Sequence, residues 1–197
     1  MREVLFTRNN VAAQRHFVEG DKASYEKVRL SAAWQRTTEL ALESARTYGL
    51  DFPVGAVALD GLTIVGRGYA NDNRFRHGLM HAEVMANSDT IFNQDHPDTL
   101  VVNLEPCPNC QSYLATVPGL KKVAFGLSRH DLADKGLLRA HDEDIFTCAA
   151  DLPYAVEQID DDELRADNLL IYDHVQRDAA TGQVQVDYLG IVGALGL

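Results

Sequence analysis

The sequence predicts an α/β protein, a three-layer α/β/α sandwich built on a five-stranded mixed sheet. Three stretches carry that expectation. The runs VGAVALD and LTIVGRGYA meet at Asp60-Gly61, a hairpin dipeptide, so two antiparallel strands follow. TLVVNLE is apolar without alternation, as in a central strand covered on both faces. KKVAFGL comes one helix-length later, and strand, helix, strand at that spacing reads as a right-handed parallel crossover.

Residues 1–23 form an N-terminal extension whose structure is not readable, and the body runs from 24 to 175. A helix is predicted from Ser24, with Val28, Ala32, Leu40, Ala41 and Ala45 as a broken apolar stripe near period 3.6. Gly49 is suited to its stop. After the hairpin, ANDNRFRHGLM is a loop into a helix at about 82–93. A second helix starts at the cysteine pair and runs to about Val117, where Pro118-Gly119 stops it. RHDLADKGLL reads as a loop with a short helix, and AVEQI as a fifth strand. From Asp160, DDDELRADNLLIYDHV is a helix with its acids in the first turn, where the dipole favours them. Residues 176–197 form a tail ending in the apolar VDYLGIVGALGL.

Composition describes one globular domain over residues 1–197, with 46% apolar and 24% charged residues. No run of 18 apolar residues is present, which argues against a transmembrane span. MREVLFTRNN lacks the apolar core of a signal peptide. With three cysteines, two of them in one short motif, a reducing compartment is expected, hence the cytoplasm. The net charge of −11 arises within residues 140–197, which hold 13 acidic residues against Arg165 and Arg177. The remainder is balanced and shows no basic cluster, although Arg74 and Arg76 would suit a single phosphate. A small-molecule substrate is expected rather than a polynucleotide.

The chemistry concentrates in His81-Ala82-Glu83 and in Pro106-Cys107-Pro108-Asn109-Cys110. Cys107 and Cys110 are i, i+3, so in a first helical turn both sulfurs project from one side. The prolines suit a helix entry, and the positive end of the helix favours thiolates, the form that binds metal. One imidazole and two thiolates make three ligands for Zn²⁺, the number a catalytic site uses to keep its fourth position open. Glu83 then remains for proton transfer. His81 must stand at the helix entry, because residues i, i+2 on a regular helix diverge.

Two other readings use the same residues. CPNC alone resembles a CPxC thiol–disulfide redox pair, as in glutaredoxin-like proteins. Those folds carry the motif near the N-terminus, whereas here it lies mid-chain behind a matching HAE. A closed structural zinc site would take a fourth ligand from Cys148, His77, His130 or His141. His16, His96 and His174 read as surface residues.

H-x-E followed by P-C-x-x-C is the signature of zinc nucleobase deaminases. On it, and on FPVGAV, GRGYAN and KVAFG, the chain over roughly residues 25–175 resembles the cytidine deaminase-like superfamily. It resembles most the branch of tRNA adenosine, guanine and cytosine deaminases. The resemblance implies a hydrolytic deaminase with Zn²⁺ on His81, Cys107 and Cys110 and with Glu83 moving protons. It implies a substrate pocket with Asn71 as the binding amide, Phe52 and Val54 as walls, and the Ala82 N–H as a donor. Asn73 is the rival for the Asn71 role, because Ala70 adds one residue to a Gly-aromatic-Asn pattern. A nucleobase or nucleoside substrate and a homodimer are also implied. Asn109 stands where the tRNA-acting members carry Met, and the tail after about residue 175 has no counterpart in the minimal family domain.

Overall fold

The computed structural model describes residues 3–5, 21–47, 49, 52–71, 80–137, 151–178, 180–181 and 183–197. A two-residue strand β1 (Glu3–Val4) precedes helix α1 (Lys22–Thr47). The hairpin follows as β2 (Gly55–Asp60) and β3 (Thr63–Tyr69), then helix α2 (Ala82–Asn93). Next come β4 (Thr99–Leu104), α3 (Pro108–Leu114), β5 (Lys122–Leu127) and α4 (Arg129–Asp134). The C-terminal part comprises β6 (Ala155–Gln158), α5 (Asp162–Asp173), β7 (Val175–Arg177), β8 (Val184–Val186) and α6 (Tyr188–Leu195).

The main sheet runs β1-β3-β2-β4-β5-β6. β2 pairs antiparallel with β3 and β4, whereas β4-β5 and β5-β6 are parallel, so the sheet is mixed as expected. The five anticipated strands are present, and the extension adds β1 at the β3 edge. Gly61 turns the hairpin at φ +56°, a conformation that a side chain disfavours.

Alternation along the strands splits the core. Val57, Leu59, Ile64, Val101 and Ala124 pack with Trp34 of α1 and Ile171 of α5 in one apolar cluster. Ala56, Ala58, Leu100, Val102 and Val123 pack with Ala82 and Ala86 of α2 and Leu114 of α3 in the other. Every residue of β4 but the last is buried, which agrees with its unbroken apolar run.

Several boundaries differ from the sequence reading. α1 starts at Lys22, before Ser24, because the Asp21 carboxylate accepts from the Ser24 N–H at 3.2 Å. Its buried stripe runs through Leu30, Ala33, Trp34, Thr37, Ala41 and Ser44, leaving Val28 and Ala32 half-buried. Polar residues disguised that phase. Thr37 hides its hydroxyl on the Trp34 carbonyl (2.7 Å), and Ser44 places its own on the Ala70 carbonyl (3.0 Å). α3 ends at Leu114, three residues before Val117. The unread tail forms the β7–β8 hairpin and α6, with Ile191 fully buried in the first cluster. Among the described residues no helix is long and apolar enough to cross a membrane.

α2 lies so close to β3 that only glycine fits beneath it. A Cβ on Gly68 would come within 2.2 Å of the Ala82 carbonyl oxygen and 2.4 Å of the Ala86 nitrogen. Both are helix backbone, so nothing flexible can yield. We expect Gly68→Ala to cost about 1–3 kcal/mol, as overpacking does. A urea midpoint equal to that of the parent would contradict this close packing.

Candidate metal centre and active site

The site assembles where two helices begin. His81 is the N-cap residue of α2, with extended backbone (φ −70°, ψ 154°) and no capping hydrogen bond from its side chain. Cys107 is the N-cap of α3, and its sulfur accepts from the Cys110 N–H at 3.4 Å. Pro108 occupies the first turn, where its missing N–H costs nothing. His81 Nδ1 lies 3.5 Å from Cys107 Sγ and 3.2 Å from Cys110 Sγ.

The three donor atoms lie within 4.8 Å of one another, close enough to hold one metal ion. Tetrahedral zinc, with bonds of about 2.3 Å to sulfur and about 2.0–2.1 Å to nitrogen, sets S···N edges near ~3.6 Å. The imidazole–thiol distances match those edges, so the donor set fits the ion in chemistry and in spacing. Of the alternative fourth ligands, His130 is exposed on α4 and is no part of this cluster. Cys148, His77 and His141 lie outside the described residues. His96 is exposed as expected, whereas His174 is half-buried against Asp187 at 3.8 Å.

The zinc-free electrostatics show what the cation must balance. The Cys107 thiol is pulled down to about 4, first by the hydrogen bond from Cys110 and then, against the cost of burial, by His81. The Cys110 thiol is pushed up by its Cys107 partner and by burial. One thiolate therefore forms readily, and the second requires a cation.

Glu83 occupies the first turn of α2 and is only 3% exposed. Burial pushes its carboxyl up from 4.5 to about 7, against the opposing pull of its own backbone N–H and of His81. Its carboxyl also interacts with the Cys110 thiol, which places it beside the ligand cluster. Ala82, also buried, is the first helical residue between His81 and Glu83.

Asn71 is buried immediately after β3. Its N–H donates to the Met80 carbonyl at 2.9 Å, which ties it to the residue before His81. Its amide Nδ2 donates to the Tyr69 carbonyl at 3.1 Å, while its Oδ1 is buried with no hydrogen-bond partner among the described residues. A buried carbonyl oxygen left unmatched is costly unless a ligand supplies the donor. Asn73 and the loop arginines Arg74 and Arg76 lie outside the described residues.

Val54 and Phe52 border the same region through backbone contacts. The Val54 carbonyl accepts from the Ala70 N–H at 2.9 Å, next to Asn71, and the Val54 N–H donates to the Phe52 carbonyl at 2.8 Å. Val54 packs on the α2–α3 side of the sheet, whereas Phe52 packs on the α1–α5 side. A polar pair missed by the sequence reading lies behind them. Asn103 of β4, wholly buried, accepts from the Gly55 N–H at 2.9 Å and donates to the Pro53 carbonyl at 3.0 Å. The Tyr172 hydroxyl of α5 donates to the same carbonyl at 3.0 Å. An Asn inside the apolar run TLVVNLE was a usable signal, whereas Tyr172 sits in an ordinary amphipathic pattern and gave none. Gln111, buried behind Cys110, donates to the Pro106 carbonyl at 3.0 Å and so braces the cysteine turn.

With this geometry in place, the likeness to known proteins is specific. Residues 31–127, about half of the chain, match the model of the cytidine and deoxycytidylate deaminase zinc-binding region. Among solved structures, guanine deaminase from Nitrosomonas europaea superposes with a TM-score of 0.54 at 17% identity, over 70% of this chain and 79% of that one. A diaminohydroxyphosphoribosylaminopyrimidine deaminase/5-amino-6-(5-phosphoribosylamino)uracil reductase from Thermotoga maritima gives 0.50 at 22% identity, over 72% of this chain and 39% of that longer one. Guanine deaminase from Bacillus subtilis gives 0.49 at 25% identity, over 54% of this chain and 69% of that one. No curated protein matches the sequence. The matched region spans α1 to β5 and contains His81, Glu83, Cys107 and Cys110, and zinc is the cofactor of that region. The chain is a member of the cytidine deaminase-like superfamily.

Proposed function

We propose that this chain is a zinc-dependent hydrolytic deaminase that replaces the exocyclic amine of a nucleobase, nucleoside or related amino-heterocycle with oxygen. One observation carries the reading: a buried carboxyl, Glu83, stands beside an imidazole and two thiols set at zinc-ligand spacing. His81 Nδ1, Cys107 Sγ and Cys110 Sγ hold the ion. Bound there, zinc supplies the Lewis acidity that makes water nucleophilic near neutral pH.

Glu83 is the proton carrier. Its carboxylate takes a proton from the attacking water and delivers it to the ring nitrogen beside the reacting carbon. Glu83 then moves the proton of the added hydroxyl to the amine, and the C–N bond breaks to release ammonia as the carbon keeps the oxygen as a carbonyl. A carboxyl near neutrality suits both directions of transfer.

Asn71 orients the ring. Its Nδ2 is engaged by Tyr69, so the Oδ1, unmatched among the described residues, is an acceptor for a substrate N–H. The Ala82 N–H offers a donor at the start of α2, and Val54 supplies the apolar wall, with Phe52 backing its chain segment from the other side of the sheet. A homodimer and a cytoplasmic setting complete the reading.

Ammonia release from the zinc-loaded protein tests this reading. Cytosine, cytidine, adenine, adenosine and guanine form the panel, with further amino-heterocycles beside them. Turnover of at least one is expected. Silence across the panel from protein holding one zinc per chain would overturn the assignment.

A further inference from the structure

The part of the chain beyond the family-matched region grips the wall of the proposed pocket. Both Tyr172 and Arg177 lie outside residues 31–127. The Tyr172 hydroxyl donates to the Pro53 carbonyl at 3.0 Å and lies 3.4 Å from Asn103 Nδ2, which shares that carbonyl. Three residues past α5's C-cap, at the end of β7, the Arg177 guanidinium stands over the Phe52 ring, 5.4 Å from its centroid. Arg177 is itself fixed, its Nη1 donating to the Leu137 carbonyl at 3.0 Å. Phe52 and Pro53 are thus held from outside the family region by a hydroxyl and a cation–π contact.

A line of hydrogen bonds to backbone atoms runs from that grip towards His81. Pro53 and Gly55 are fixed by Asn103, Val54 by Ala70, and Asn71 by Met80, which precedes His81.

We propose that Tyr172 and Arg177 are positioning residues for substrate. Together they form a C-terminal clamp that holds the Phe52–Pro53 segment from the α1–α5 side, thereby sets the place of the adjoining Val54 wall at the proposed site, and governs which ring is accepted. Neither touches the reacting atoms. The clamp rests on the deaminase reading for its role in binding, but its mechanical part stands on contacts alone.

Tyr172→Phe removes one hydroxyl from the core and keeps the ring, and Arg177→Gln removes the cation from Phe52. Each variant of the full, zinc-loaded chain is compared with the parent by KM and kcat on its best substrate. Zinc content and amide hydrogen exchange at Val54 and Gly55 are measured alongside. KM is expected to rise about tenfold in Tyr172→Phe, equivalent to one lost neutral hydrogen bond. In both variants kcat stays within about twofold, because an interaction made equally in ground and transition states changes KM. Zinc content should be unchanged, and exchange at the two amides should quicken. Arg177→Lys, which keeps the cation, should recover part of the KM lost in Arg177→Gln.

Parent-like KM in both variants overturns the proposal. So does a loss of kcat together with zinc at constant KM, since the residues would then act through the metal or the fold. Should Tyr172→Phe fail to fold, the two Arg177 variants decide the matter. If the parent chain deaminates nothing in the panel, it is the deaminase reading that has failed. The exchange rates then judge the clamp alone, and parent-like rates at Val54 and Gly55 in the variants would refute it.

Discussion

Glu83→Gln should abolish turnover and, in the zinc-free chain, raise stability. The loss follows from removing the only proton carrier assigned to the site, an effect of about 10²–10⁴-fold for general acid–base catalysis. Zinc content should not change, because Glu83 is not among the three ligand donors. The gain follows from burial. The unfolded chain releases the Glu83 proton near 4.5, whereas the folded zinc-free chain keeps it to about 7. Below 4.5 both states hold the proton and the residue contributes no pH dependence. Between 4.5 and about 7 the unfolded state is progressively favoured, and above 7 the penalty is constant. That penalty is on the order of 3 kcal/mol. Glutamine keeps the shape and lacks the charge, so the difference in stability between variant and parent should grow across that window. Urea titrations of zinc-free protein at several pH values measure it. A variant that retains activity removes Glu83 from the mechanism.

His81→Ala should lose metal and stability together. The imidazole is the only nitrogen donor in the cluster, and its Nδ1 contacts both sulfurs. Without it two thiols remain, of which only Cys107 ionises readily. Binding energy of a structural zinc is folding energy, with apparent values of about 10–16 kcal/mol in small zinc domains. Here two apolar clusters also stabilise the fold, so a smaller fall is expected, one that equals the parent's own loss on chelation. The decisive comparison is the melting temperature of His81→Ala against the parent, each with and without chelator. A chelator shift persisting in the variant, or zinc still at one per chain, would remove His81 from the ligand set.

How much of this was readable in advance depended on whether the signal was local. The convergence of His81, Cys107 and Cys110 was, because HAE and PCPNC each fix their geometry within one helical turn. The hairpin at Asp60-Gly61 and the buried strand TLVVNL were legible for the same reason, through turn chemistry and hydropathy. What escaped was set by tertiary partners. Thr37 and Ser44 look like surface residues until their hydroxyls find backbone carbonyls, so the stripe of α1 was legible at Leu40, Ala41 and Ala45 but not at its polar members or in its first half. Asn103 looked like an interruption of an apolar strand, yet it satisfies the entry of β2, 48 residues away. The tail was unreadable because VDYLGIVGALGL has apolar residues nearly all round, and only its neighbours decide that Ile191 is the one it buries.

The division of the sheet into an antiparallel side and a parallel side also has a kinetic meaning. β2 and β3 close through a two-residue turn, so their contacts are local and form on the microsecond scale typical of hairpins. β4, β5 and β6 come together only after long chain segments have been looped out, which slows the nucleus that contains them. The imidazole travels with the first group and the sulfurs with the second. A grasp on the ion that needs all three donors therefore reports completion of the slow step, and zinc uptake during refolding would serve as a clock for the arrival of the parallel strands.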